Sequence, residues 1–141
     1  MTTFTVSALV ASQPAPVNGL IFGYARATAH GAGATARQRE LLDEYSMKAF
    51  GRPLDDLYED SRLPGAKTDR PGLDALKRAV QTDQVAVIVI MDVERISRRL
   101  RALDDFAAFC DRELIQLHTC FNGRYHRADD VNQLLATTSV S

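Results

Sequence analysis

The run VAVIVIM, residues 85 to 91, places the tightest limit on the fold. Valine and isoleucine are stiff at χ1 and fit a pleated sheet better than a helix. The run has no polar residue to turn toward water, so it is predicted to be a strand covered on both faces, at the centre of a parallel sheet. Parallel neighbours need crossovers long enough for a helix, and the rest of the chain supplies them.

LIFGYAR (20–26) is a short apolar and aromatic run that fits a buried strand, and the Gly- and Ala-rich ATAHGAGA after it reads as a mobile loop. From Thr35 to Phe50 the period changes: Leu41, Leu42, Tyr45 and Ala49 share one face, charged residues cover the other, and Gly51 and Pro53 close the helix. LDDLYED (54–60) reads as a weaker strand. In the next helix Asp69 is the expected cap, Pro71 suits the first turn, and Leu73, Leu76 and Val80 line one side. A third helix is predicted over Leu100 to Glu113, with Leu103, Phe106, Ala107, Cys110 and Leu114 buried, followed by a strand in IQLHTCF and a short helix near Val131 to Ala136. Strand alternating with helix gives an α/β fold: a mostly parallel sheet of about four strands covered by helices.

Composition narrows the function. With 141 residues the chain holds one ordinary domain, and 45% hydrophobic against 25% charged residues is a globular balance. No apolar run is long enough for a bilayer, and the amino-terminal segment lacks the basic start of a signal peptide, so the expected location is the cytoplasm. Two cysteines, Cys110 and Cys120, are too few for a disulfide framework. A net charge of -1 gives no bulk attraction to nucleic acid, so any such binding must come from local clustering.

Such clustering is present. In open parallel sheets the ligand site lies beyond the carboxyl ends of the strands, here the loops after Arg26, Asp60 and Met91. These loops carry Arg26 and Thr28; Arg62, Lys67 and Arg70; and Glu94, Arg95, Arg98 and Arg99. Arginine does not ligate metals and Glu94 is the one obvious ligand among the loop tips, so the set suits a phosphate and no metal or other cofactor is expected. A hydroxyl among guanidiniums is helped toward its alkoxide, and the same guanidiniums hold charge that builds on a phosphoryl group, which implies phosphoryl transfer through a covalent protein intermediate. His118 and Cys120 share one side of a strand but lack further ligands for zinc. The loop after Tyr24 lacks the spacing of a nucleotide-binding loop.

Three motifs reach a known family. YARAT (24–28), RPGL (70–73) and VIVIMDVERISR (87–98) resemble, in order and spacing, the Tyr-x-Arg-x-Ser, Arg-x-Gly-Leu and strand-Asp-Arg-Leu-x-Arg motifs of the serine recombinases, the resolvase and invertase family. The resemblance runs from about Leu20 to Phe121 and implies a resolvase-like, flavodoxin-like three-layer catalytic domain. It implies site-specific DNA recombination, with strand cleavage and rejoining through a covalent protein-DNA linkage and without metal or nucleotide cofactor. It places the nucleophile on Thr28, the phosphate-binding arginines on Arg26, Arg70, Arg95 and Arg98, and the orienting carboxylate on Glu94. The implied partners are DNA, through its phosphate backbone, and a second copy, a higher oligomer or a full-length recombinase.

Three positions depart from the family pattern. Threonine stands for serine at position 28, glutamate for aspartate at 94, and the glutamine expected early in the first helix falls on Arg37 by ungapped count, with Gln38 its neighbour. The threonine methyl restricts χ1 and crowds an in-line attack. Thr28 is therefore either a working nucleophile or a polar loop residue, and in the second case the chain is a non-catalytic protein that self-associates or pairs with a full-length recombinase. The expected layout is a flexible tail at 1–18, the catalytic domain at 19–121, and at 122–141 a tail or the truncated start of a dimerising helix, with no separate DNA-binding part.

Overall fold

A computed structural model describes residues 17–27, 34–61, 70–97 and 99–126. The elements alternate: β1 (Leu20–Ala27), α1 (Ala34–Phe50), β2 (Asp56–Ser61), α2 (Pro71–Thr82), β3 (Val85–Ile90), a 3-10 turn (Val93–Arg95), α3 (Leu100–Arg112), β4 (Gln116–Thr119) and β5 (Gly123–Arg124). The sheet order is β2-β1-β3-β4-β5; the first four strands are parallel and β5 runs antiparallel to β4.

VAVIVIM holds the central place its composition demands, with Val87 to Ile90 at most 1% exposed. The two-residue period of a strand sorts β1 between layers. Ile21 and Ala25 pack with Val87, Val89, Leu42 and Phe50 on the α1 face. Phe22 and Tyr24 pack with Ile88, Leu76, Leu103 and Phe106 on the α2 and α3 face. Each fully buried large aliphatic side chain contributes about 1.5–3 kcal/mol, so these two clusters carry the fold.

Four details differ from the sequence expectation. The buried line of α1 is Gln38, Leu42, Ser46 and Phe50, a strict fourfold repeat, while Leu41, Tyr45 and Ala49 flank it half-buried. Two of these residues look solvent-facing by composition; Ser46 is kept inside by donating to the Arg52 carbonyl at 2.6 Å. β2 starts at Asp56 because Asp55 is engaged: its carboxylate accepts from the Ile21 N–H at 2.7 Å and from Arg52 Nη1 at 2.6 Å. The sheet runs on past Phe121 through β5, and the Tyr125 N–H donates to the Leu117 carbonyl at 2.7 Å. Of the expected loop ATAHGAGA, Ala27 belongs to β1 and Ala34 to α1, while residues 28–33, the cap at Asp69 and the short helix at 131–136 lie outside the described residues.

The fourth difference is Leu114, which is 88% exposed instead of buried. Helix α3 ends at Arg112, and Leu114 takes a left-handed backbone, φ 59, so that the Ile115 N–H reaches the Cys110 carbonyl and the Leu114 N–H that of Asp111. That closure favours glycine, because a Cβ crowds the following carbonyl. Leu114→Gly is therefore expected to raise the unfolding free energy by about 1 kcal/mol, with little burial to lose. Denaturant unfolding checks this, and a less stable variant contradicts a strained cap.

Candidate functional site

The carboxyl ends of β1 and β3 and the start of α2 bring three arginines together. Arg26 is the next-to-last residue of β1, Arg95 closes the 3-10 turn after β3, and Arg70 immediately precedes α2. Arg95 Nη1 donates to the Arg26 carbonyl at 3.1 Å. Arg70 Nη1 donates to the Arg95 carbonyl at 3.3 Å and to that of Ile96. The Arg70 and Arg95 guanidiniums are thus each braced against the backbone of a neighbouring segment.

Arg70 is placed by a buried acid. Asp60, 2% exposed at the end of β2, accepts from the Gly72 N–H at 2.7 Å, the Leu73 N–H at 3.0 Å and the Tyr24 hydroxyl at 2.6 Å. The carboxylate satisfies orphan donors at the α2 amino terminus and meets the positive end of the helix dipole. Pro71 is at the first helical position, where its missing N–H is harmless. Gly72 is required by close approach, since a Cβ there would come within 2.2 Å of the Glu59 carbonyl oxygen. The RPGL motif therefore presses the helix onto the end of β2, with Arg70 reaching the carbonyls of Arg95 and Ile96. Burial and the bond to Asp60 push the Tyr24 phenol far above its ordinary range, so it stays a neutral donor.

Arg26 is held from the other side. The Gln38 carboxamide accepts from the Arg26 N–H at 3.2 Å and donates to its carbonyl at 2.9 Å. Arg37, the residue an ungapped count puts at this position, points outward and pairs with Glu40 at 3.1 Å. Gln38 is therefore the glutamine at the site. Burial first, and then the charge of Arg70, lower the Arg26 pKa. Nε of Arg26 and Nε of Arg95 are buried without a hydrogen-bond partner.

Glu94 is exposed, and its backbone N–H donates to Asp92 Oδ1 at 3.0 Å. Thr28 and Arg98 lie outside the described residues, as do Arg62 and Lys67. Of the six site residues expected from sequence, the structure brings together Arg26, Arg70 and Arg95 and places Glu94 beside them in the same turn. Arg99 and Arg101 are exposed at the start of α3. Sequence reasoning missed Asp60 and Asp92. For Asp60 a signal existed: an acid at a strand end ahead of a helix whose first residues are Arg-Pro-Gly.

This geometry suits an anion. Three cations are held near one another, and two of their buried Nε donors make no hydrogen bond. Among the described residues no group of acids, histidines and cysteines could hold a metal ion. Nor, among them, is any helix long and apolar enough to cross a membrane.

The family model of the resolvase N-terminal domain matches residues 21–139. The chain belongs to the resolvase family. No match emerges among the curated proteins. Among solved structures, this resolvase domain is similar to the N-terminal catalytic domain of TP901-1 integrase, at 19% identity and TM-score 0.65 over 85% of this chain and 92% of that one. It is similar to the C-terminal catalytic domain of ISC1926 TnpA, an IS607-like serine recombinase, at 21% identity and TM-score 0.61 over 83% and 79%. A resolvase-family site-specific recombinase from Streptococcus pneumoniae matches at 13% identity and TM-score 0.63 over 84% of each chain. At these identities the structures speak for the fold of the resolvase domain.

His118 belongs to the scaffold. Its Nδ1 is 2.7 Å from the Tyr45 hydroxyl and its Nε2 2.9 Å from Gln116 Oε1; the tautomer protonated at Nε2 satisfies both. Burial, then Arg124 and His126, lower its pKa from 6.5 to about 4. A histidine depressed in the folded state binds its proton more readily when unfolded, so its contribution is complete above 6.5 and is lost as pH falls toward 4. Over that window the wild type is expected to lose on the order of 3 kcal/mol more than His118→Gln. Denaturant unfolding against pH checks this, and parallel profiles contradict it.

Proposed function

We propose that this resolvase-family chain carries out site-specific DNA recombination, cleaving and rejoining strands by phosphoryl transfer through a covalent protein-DNA intermediate. Thr28 is the nucleophile; Arg26, Arg70, Arg95 and Arg98 clamp the scissile phosphate, and Glu94 helps orient the arginines. The observation that carries this reading is the meeting of Arg26, Arg70 and Arg95 with two buried Nε donors that make no hydrogen bond. Guanidiniums held this close repel one another, and a bridging phosphate relieves the repulsion while accepting hydrogen bonds from them. The same donors, fixed before reaction, hold charge developing on the phosphoryl oxygens. The partners are the DNA backbone and other recombinase-fold chains, a second copy or a full-length relative.

A second reading stands beside it because threonine occupies the nucleophile position. Here the fold is retained for association and the chemistry is muted. A denaturing-gel search for a covalent adduct separates the two, with DNA fragments from the gene's own genomic neighbourhood and with wild type, Thr28→Ser and Thr28→Ala. The catalytic reading expects an adduct with wild type, none with Thr28→Ala, and a yield lowered about 100-fold or more by Arg70→Gln. An adduct from Thr28→Ser alone supports the associating reading, and an adduct that persists in Thr28→Ala overturns Thr28 as nucleophile.

A further inference from the structure

Asp92 is outside the residue set assigned above and has two partners at once. Its Oδ1 accepts from the Glu94 N–H at 3.0 Å and so caps the 3-10 turn, while its Oδ2 lies 3.7 Å from Arg95 Nε. That Nε is buried and makes no hydrogen bond, whereas Nη1 of the same group donates to the Arg26 carbonyl. We propose that Asp92 is the positioning residue for Arg95: a carboxylate fixed by the turn it caps, which sets the plane of the guanidinium and balances part of its charge.

The argument is geometric. A guanidinium is planar and rigid, so contacts at two of its edges determine where the rest of the fork points. One edge of Arg95 has a neutral anchor, the end of β1. Its Nε edge faces Asp92, whose own freedom is taken up by the cap. Both side chains are about a third exposed, at 34% and 35%, so the pair adds little to stability and its effect is orientation. Asp92 acts on Arg95 across the turn and, through the Glu94 backbone, fixes the segment that carries both residues. A second carboxylate, two residues ahead of Glu94, thus serves the arginine that immediately follows Glu94 in sequence. The proposal rests on the phosphate reading for its purpose, though not for its test.

The test uses the full chain, labelled with nitrogen-15 and free of DNA, and follows two signals: the Glu94 backbone amide, which reports the cap, and the Arg95 Nε–H, which reports the ion pair. Asp92→Asn keeps a capping oxygen and removes the charge. It is expected to leave the protection of the Glu94 amide unchanged, while the Arg95 Nε–H shifts and exchanges with water roughly threefold faster or more. Asp92→Glu keeps the charge on a longer arm, and the expected pattern reverses: the amide loses protection and the Nε–H stays near its wild-type state. An Arg95 signal unmoved in Asp92→Asn, or one that follows the Glu94 amide in both variants, overturns the proposal and leaves Asp92 as a turn cap alone. Since no DNA is present, either result is independent of whether Thr28 forms an adduct.

Discussion

The site hangs on one buried carboxylate. Asp60 joins three segments distant in sequence: Tyr24 on β1, the end of β2 where it resides, and the amino terminus of α2. Hydrogen bonds to a charged acceptor are worth about 1.5–3 kcal/mol each, and a buried acid is tolerated only with such partners. The bonds from the Gly72 and Leu73 N–H groups to Asp60 also fix the place of Arg70, which immediately precedes the helix that Asp60 caps. Stability of the sheet end and assembly of the cationic cluster are thus one arrangement.

That arrangement has a consequence for electrostatics. The Arg70 and Arg95 guanidiniums are braced by backbone carbonyls and the Arg26 backbone by the Gln38 amide, partners that fix geometry without neutralising charge. Asp92 offsets part of the charge at Arg95, and Asp60 part of that felt by Arg26. What is left is a cationic end of the sheet, in a chain whose net charge is -1. A net charge of -1 supplies no overall field, so the positive character of this end of the sheet comes from placement.

Much of the fold is legible in the sequence because periodicity records burial. The β-branched run at 85–90 has only one environment open to it, and the apolar spacing of α2 matches its buried Leu73, Leu76 and Val80. The arginines of the site were legible through motif order. Harder to read were polar residues whose burial depends on a distant partner: Gln38 needs the end of β1, Ser46 the Arg52 carbonyl, and Asp60 both Tyr24 and α2. Leu114 misled because helical spacing continues through it while the backbone has already turned. β5 is two residues long and carries no period at all.

The central claim is that these arginines form a phosphate site, and the most direct measurement is a titration of the nitrogen-15-labelled chain with inorganic phosphate, following every arginine Nε–H. The account expects Arg26, Arg70 and Arg95 to shift together along one saturation curve while the exposed Arg99 and Arg101 stay near their starting positions. Shifts confined to the surface arginines, or none at all in the three, would contradict it.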